Sequence, residues 1–255
     1  MSAPVLQIRD LTKKFGELTA TNHVDLDVER GEFRSVIGPN GAGKTTLFNL
    51  ISGALTPTSG QIEFAGEPIS DLPPHERVRR GVSRSFQITN IFSGLSVREN
   101  VRIAVQSKHY EDLDGAEALF RDTGTFDEMN RQTDEVLRRI GLDDRASEPA
   151  GTLAYGDQRR LEIGLVLATD PKLVLLDEPT AGMSTEETRE TLALVNEVLA
   201  DQSIMLIEHD IDLIMDVSDQ ITVLTRGEVL ASGTPAEIAD DDDVQEAYLG
   251  GGRDE

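Results

Sequence analysis

The chain has 255 residues, 38% of them hydrophobic, which is enough to bury a core in one large domain or in one domain carrying an insertion. Its 47 acidic residues outnumber 24 basic ones, for a formal charge of −23, a surface that repels phosphate backbones and argues against non-specific nucleic-acid binding. The absence of cysteine excludes disulfides, cysteine nucleophiles and thiolate metal sites.

No apolar run approaches the ~18–20 residues needed to cross a bilayer. The N-terminus "MSAPVLQIRD" lacks a basic start followed by an apolar core, so a cytoplasmic protein is expected. The acids are spread along the whole chain. That pattern suits a solvated surface adapted to a salty cytoplasm better than one patch for a basic partner.

In chain order, "VLQIRDL" (5–11) and "HVDLDVE" (23–29) predict strands with one buried face. "EFRSVI" (32–37) predicts a third strand running into a glycine loop, and "LFNLIS" (47–52) continues as a helix with its apolar side inward. "TSGQIEFAGEPI" (58–69) predicts a hairpin around Gly66, and Pro73-Pro74 opens a short helix through Arg80. From Ser96 to Leu167 the pattern is mainly helical, interrupted by a polar stretch over roughly 108–125. "KLVLLDEPT" (172–180) predicts a strand buried on both faces. A helix over 184–200 follows, with Ser184 as N-cap and Glu187 completing a capping box. The strand "IMLIEH" (204–209), a short helix and the hairpin "ITVLTRGEVLASG" come next. Asp240–Asp243 is expected to start a helix, where the dipole favours negative charge, rather than to hold a metal. The whole reads as an α/β core with an inserted helical subdomain.

Two stretches carry chemistry. Gly38 to Thr45 matches G-x-x-x-x-G-K-[ST] between a predicted strand and a predicted helix. The glycines let backbone N–H groups wrap a phosphate, and the following helix adds its positive end. The candidate phosphate-binding residues are Gly38, Pro39, Asn40, Gly41, Ala42, Gly43, Lys44, Thr45 and Thr46. Lys44 can reach terminal phosphates, and the Thr45 hydroxyl can ligate Mg²⁺. "LVLLDE" then delivers Asp177 and Glu178 to a sheet edge. Asp177 can serve the Mg²⁺ shell, and Glu178 can polarise a water for attack on a γ-phosphate.

"TLAYGDQRRLEI" (152–163) resembles the signature sequence of ATP-binding-cassette (ABC) ATPases. The Leu-Ala-Tyr-Gly form followed by "QRRLEI" is similar to the branch that serves branched-chain amino acid importers. The resemblance spans essentially the whole chain, including the final "AYLG". It implies a P-loop NTPase (RecA-like) core with an antiparallel β subdomain and an inserted α-helical subdomain. The implied divisions are core and β subdomain over 1–92 and 169–230, helical subdomain over 93–168, and a C-terminal extension over 231–255.

The resemblance also assigns residues. Leu153, Ala154, Tyr155, Gly156 and Asp157 form the signature, with Ala154 where most members carry serine. Gln87 is similar to the lid glutamine that touches Mg²⁺, so Thr45, Gln87 and Asp177 form the implied metal set. His209 is similar to the switch histidine that contacts the γ-phosphate, and Phe15 to the aromatic that stacks on adenine. Lys44, Glu178 and His209 are then the implied catalytic residues, with ATP and Mg²⁺ as cofactors.

The implied assembly is a head-to-tail pair with a second, related ATPase subunit, each signature completing the other's site. The pair would sit on two integral-membrane permease subunits at the cytoplasmic face of the cell membrane, served indirectly by an extracytoplasmic solute-binding protein. A urea or short-amide importer is the nearest alternative. A soluble non-transport ABC ATPase is the alternative of another class; such proteins usually add a second cassette, a long coiled coil or basic segments, none of which is found here.

Overall fold

The computed structural model describes residues 3–85, 91–108 and 123–249. In chain order the strands and helices are β1 (Leu6–Phe15), β2 (Leu18–Val28), β3 (Phe33–Ile37), α1 (Lys44–Ser52), β4 (Ser59–Phe64), β5 (Glu67–Pro68), α2 (Pro74–Arg80), β6 (Val82–Ser85), α3 (Val97–Lys108) and α4 (Thr123–Arg139). They continue with α5 (Tyr155–Leu167), β7 (Leu173–Asp177), α6 (Thr185–Val198), β8 (Ser203–Ile207), α7 (Ile211–Val217), β9 (Gln220–Thr225), β10 (Glu228–Gly233), α8 (Pro235–Ala239) and α9 (Asp242–Leu249). They divide between two units: one draws on Met1–Gln87, Lys172–Met183 and Asp201–Glu255, the other on Ile88–Pro171 and Ser184–Ala200.

The first unit holds two sheets. The antiparallel one has the order β2-β1-β4-β5. In β2, Val24, Leu26 and Val28 are buried while His23, Asp25 and Asp27 are exposed, the period-2 alternation of a half-buried strand. Both β1 and β2 extend beyond their apolar stretches, meeting at Phe15↔Leu18. The polar residues between carry no strand pattern in the sequence. Backbone pairing across the hairpin, with register shifts after Ile8, Leu11 and Lys13, keeps them in the ladder.

The second sheet has the order β10-β9-β3-β8-β7-β6. Every pairing in it is parallel except β10 with β9. β3, β7 and β8 are buried along their whole length, as strands covered on both faces must be. Their C-terminal ends lie on one edge, where open α/β sheets place ligands. β6 is not marked by apolar periodicity: "VSRS" is short and polar, and it forms because its backbone pairs with β7 from Val82↔Leu173 to Ser85↔Leu176.

α1 ends on Gly53, and its last carbonyls are held by a buried arginine. Arg77 donates to the carbonyls of Leu50 (2.5 Å) and Ile51 (2.9 Å) through Nη1, of Ser70 (2.8 Å) through Nη2 and of Leu72 (2.9 Å) through Nε. Burial lowers its pKa to about 10, so it stays charged at neutral pH.

In the second unit α3 packs on α4 and α5, and α5 also packs on α6. Val97, Val101 and Val105 line the buried stripe of α3 at helical spacing. A Cβ on Gly164 of α5 would lie 2.6 Å from Ile140 Cδ1, so glycine permits this close approach. Ser184 caps α6, and a capping box with Glu187 is formed.

The acidic run divides between two helices. Asp240 follows α8 as its C-cap, and Asp241 Oδ1 accepts the Val244 N–H (3.0 Å), so only Asp241–Asp243 serve the start of α9.

Candidate active site

The phosphate-type loop lies between β3 and α1, with Gly38 at φ 152°, Gly41 at 82° and Gly43 at 101°. Two of these glycines are forced by space as well as by φ. A Cβ on Gly38 would lie 2.1 Å from the Leu224 carbonyl oxygen, and one on Gly43 would lie 2.4 Å from that of Ala20. The loop is thus hemmed by β9 and β2, and the Ala42 carbonyl accepts the Gly227 N–H at 3.0 Å. Gly43 caps α1 without a side-chain bond, so the first N–H groups of α1 remain for an anion.

Lys44 is buried. Its Nζ donates to the carbonyls of Gly38 (2.6 Å) and Pro39 (3.2 Å), folding the side chain back along the loop. Burial lowers its pKa, and the charges of Glu178 and Asp177 oppose that shift. Pro39, Asn40 and Gly41 are exposed, Ala42 is buried, and Thr45 is exposed at the first turn of α1 beside half-buried Thr46.

Asp177 is the last residue of β7, and Glu178 ends the predicted 172–180 strand early. Glu178 adopts φ 48°, a left-handed conformation rare outside glycine, which turns the chain off the sheet. Its N–H still bonds to the Ile207 carbonyl at the end of β8 (2.9 Å). Its Oε1 lies 2.9 Å from Nε2 of His209, two residues past β8. The sheet order therefore places the predicted base and the predicted switch histidine in direct contact, although 31 residues separate them.

Asp177 has a partner that the sequence reading missed. Arg84 on β6 donates through Nη2 to Asp177 Oδ2 (2.7 Å) and through Nη1 to Asn49 Oδ1 (2.5 Å). No motif flags it; the signal is a polar residue on a strand that only tertiary pairing reveals. The other carboxylate oxygen of Asp177 carries no hydrogen bond among the described residues. The Thr45 hydroxyl and the Asp177 carboxylate are hard oxygen donors, the chemistry a Mg²⁺ ion takes. Gln87 lies outside the described residues.

Phe15 closes β1, 46% exposed, with Lys13 Nζ 5.2 Å from its ring centroid. It faces Leu18 across the hairpin, two residues from the Ala20 carbonyl that hems Gly43.

The signature residues open α5 in the helical unit. Leu153 is buried, while Ala154, Tyr155 and Gly156 are exposed. Ala154 is the N-cap and has no hydroxyl to bond the helix N–H groups. Arg145 Nη1 donates to Asp157 Oδ2 (2.6 Å), and Gln158 Nε2 donates to the Leu153 carbonyl (3.0 Å). The Tyr155 ring lies 5.4 Å from the Arg159 guanidinium carbon.

A glycine-rich loop between a parallel strand and a helix, with an acid pair ending another strand of the same sheet, defines a P-loop nucleotide-binding protein. The chain belongs to the ABC transporter family, whose model matches residues 21–181. Within that family it is an ATP-binding ATPase subunit. A second model, for the branched-chain amino acid ATP-binding cassette transporter, matches residues 228–254.

Among similar proteins, the high-affinity branched-chain amino acid transport ATP-binding protein BraF of Pseudomonas aeruginosa is 43% identical, over 98% of this chain and 99% of that one. The high-affinity branched-chain amino acid transport ATP-binding protein LivG of Escherichia coli is 41% identical over the same shares. A crystal structure of MJ1267, an ATP-binding cassette of an ABC transporter in its ADP conformation, superposes with a TM-score of 0.80 at 27% identity. That match covers 98% of this chain and 100% of the other. No helix among the described residues is long and apolar enough to cross a membrane.

Proposed function

We propose that this chain is the ATP-hydrolysing subunit of an importer of branched-chain amino acids, held at the cytoplasmic face of the membrane by separate permease subunits. The observation that carries the cargo is the near full-length likeness to two high-affinity branched-chain amino acid transport subunits.

In this reading the backbone of Gly38–Gly43 and the first turn of α1 cradle the phosphates, with Thr46 in that turn. Lys44 exchanges its bonds to the Gly38 and Pro39 carbonyls for phosphate oxygens. Phe15 offers adenine the ring face that Lys13 does not cover. Thr45 and Asp177, with Gln87, would hold Mg²⁺, which would neutralise charge on the phosphates. Glu178 takes the proton of the attacking water, and His209, 2.9 Å away, fixes the Glu178 carboxylate and reaches the γ-phosphate.

Leu153–Asp157 lie within the segment 93–168, read as the helical subdomain. They would complete the ATP site of a second, related subunit. The segment 231–255 would be the C-terminal extension of this branch. A solute-binding protein would deliver cargo to the permease from outside.

The test is uptake of labelled leucine and labelled urea by cells lacking this chain, restored by the wild type and not by Lys44→Ala. Loss of leucine uptake alone is the expected result. Loss of urea uptake with leucine uptake intact overturns the cargo assignment while leaving the ATPase.

A further inference from the structure

The buried carboxylate of Glu208 has no part in the mechanism above. It lies one residue beyond β8 and is 7% exposed. Its Oε1 accepts both the N–H (3.1 Å) and the hydroxyl (2.5 Å) of Thr180, itself buried. Its Oε2 accepts the backbone N–H of His209 (3.3 Å). Among the described residues no lysine or arginine pairs with it. A carboxylate kept in such a place needs several donors to offset its lost hydration, and these three supply them.

What these donors belong to is informative. Thr180 is two residues past Glu178, and His209 directly follows Glu208. The carboxylate therefore ties the loop after β7, which carries Glu178, to the loop after β8, which carries His209. Glu178 itself sits in a left-handed conformation, which persists only where its surroundings hold it.

We propose that Glu208 is a positioning residue: through Thr180 and the His209 N–H it locks the two loops in register, so that Glu178 and His209 keep their separation during turnover. This rests on Glu178 being the base that serves the attacking water. Only a carboxylate can accept on both oxygens. In Glu208→Gln the amide NH₂ must face either the Thr180 donors or the His209 N–H, and one end of the clasp becomes repulsive.

The test uses the full chain together with its partner subunit, comparing the wild type with Glu208→Gln, Thr180→Val, Thr180→Ser and Glu178→Gln. It measures MgATP affinity, kcat, KM, melting temperature and the ¹⁵N shifts of the His209 ring. Glu208→Gln and Thr180→Val are expected to lower kcat by roughly 10- to 100-fold, because a small misplacement of catalytic groups has that cost. MgATP affinity should hold within about twofold, since no group on the nucleotide is removed. The His209 ring signals should move in both variants, and Thr180→Ser, which keeps the hydroxyl, should recover most of the rate.

Wild-type kcat in both Glu208→Gln and Thr180→Val, with Glu178→Gln inactive, overturns the inference and leaves the base assignment standing. A fall in kcat with the His209 signals unmoved and the melting temperature lowered also overturns it, in favour of a purely structural bond. If Glu178→Gln turns over like the wild type, the base assignment fails and this inference fails with it. Should Glu208→Gln not fold, Thr180→Val carries the same readouts.

Discussion

Lys44 illustrates, at the level of one residue, how the proposed site would trade stability for binding. An amine buried against two carbonyls is held at a lowered pKa, because burial disfavours its charge more than Glu178 and Asp177 favour it. A folded-state pKa below the unfolded one means that the unfolded chain binds the proton more tightly. Stability therefore rises as the pH climbs from the lowered value to the ordinary lysine value, and at neutral pH the charged amine is a net cost. Lys44→Met is expected to raise the melting temperature of the nucleotide-free protein at neutral pH while abolishing the shift produced by MgATP. Differential scanning calorimetry with and without MgATP checks both parts. A lowered melting temperature without nucleotide would show that the two carbonyl bonds outweigh desolvation.

At the scale of elements, helix ends carry the information. Arg77 of α2 fastens the C-terminal turn of α1, and α1 begins with the phosphate loop, so the arginine anchors the far end of the helix that presents Lys44 and Thr45. Arg77→Ala leaves four carbonyls without this donor and is expected to cost about 3 kcal/mol or more in chemical unfolding. An effect below about 1 kcal/mol would mean that water replaces it fully. At the other extreme, α5 begins at Ala154 with no side-chain cap. Ala154→Ser, which restores a hydroxyl at an N-cap with extended backbone, should stabilise the protein by about 0.5–2 kcal/mol. No change in the denaturation midpoint would show that the first turn of α5 is already satisfied.

For the whole molecule, the net charge of −23 and the proposed site shared with a second subunit set the predictions. Self-repulsion among surface carboxylates is long-ranged at low ionic strength, and added salt shortens it from a Debye length of ~30 Å at ~0.01 M to ~3 Å at ~1 M. The melting temperature should therefore rise with NaCl over that range, and a flat response would show that the carboxylates are locally compensated. Glu178→Gln, which keeps the shape of the side chain without its basicity, should bind MgATP and accumulate as a dimer with its partner subunit, with turnover close to nil. Size-exclusion chromatography with MgATP and both subunits checks this; an absence of any dimer counts against a head-to-tail site.

The loop around Lys44 and the acid pair at the end of β7 were legible in the sequence because each is a local pattern. Glycines at fixed spacing before a helix need no tertiary information, and neither does an apolar run ending in two acids. The buried strands β3, β7 and β8 were legible for the same reason. Periodicity could not find β6 or the full length of β1 and β2, because their polar residues are held by backbone pairing, across a hairpin for β1 and β2 and with the distant strand β7 for β6. Nor could it end β7 at Asp177, since the left-handed turn at Glu178 is fixed by the bond from its N–H to β8.

The same division runs through the site. The sequence by itself determined which chemical groups the protein has: a phosphate loop, a lysine, two carboxylates, a histidine and a signature. Local backbone preference and residue chemistry suffice for that. Only the tertiary structure decided who meets whom. The sheet order sets β7 between β8 and β6: its adjacency to β8 brings His209 to Glu178 and Glu208 to Thr180, and its adjacency to β6 brings Arg84 to Asp177. These pairings join residues 28 to 93 positions apart, a separation at which packing and hydrogen bonding across strands, rather than local pattern, determine contact.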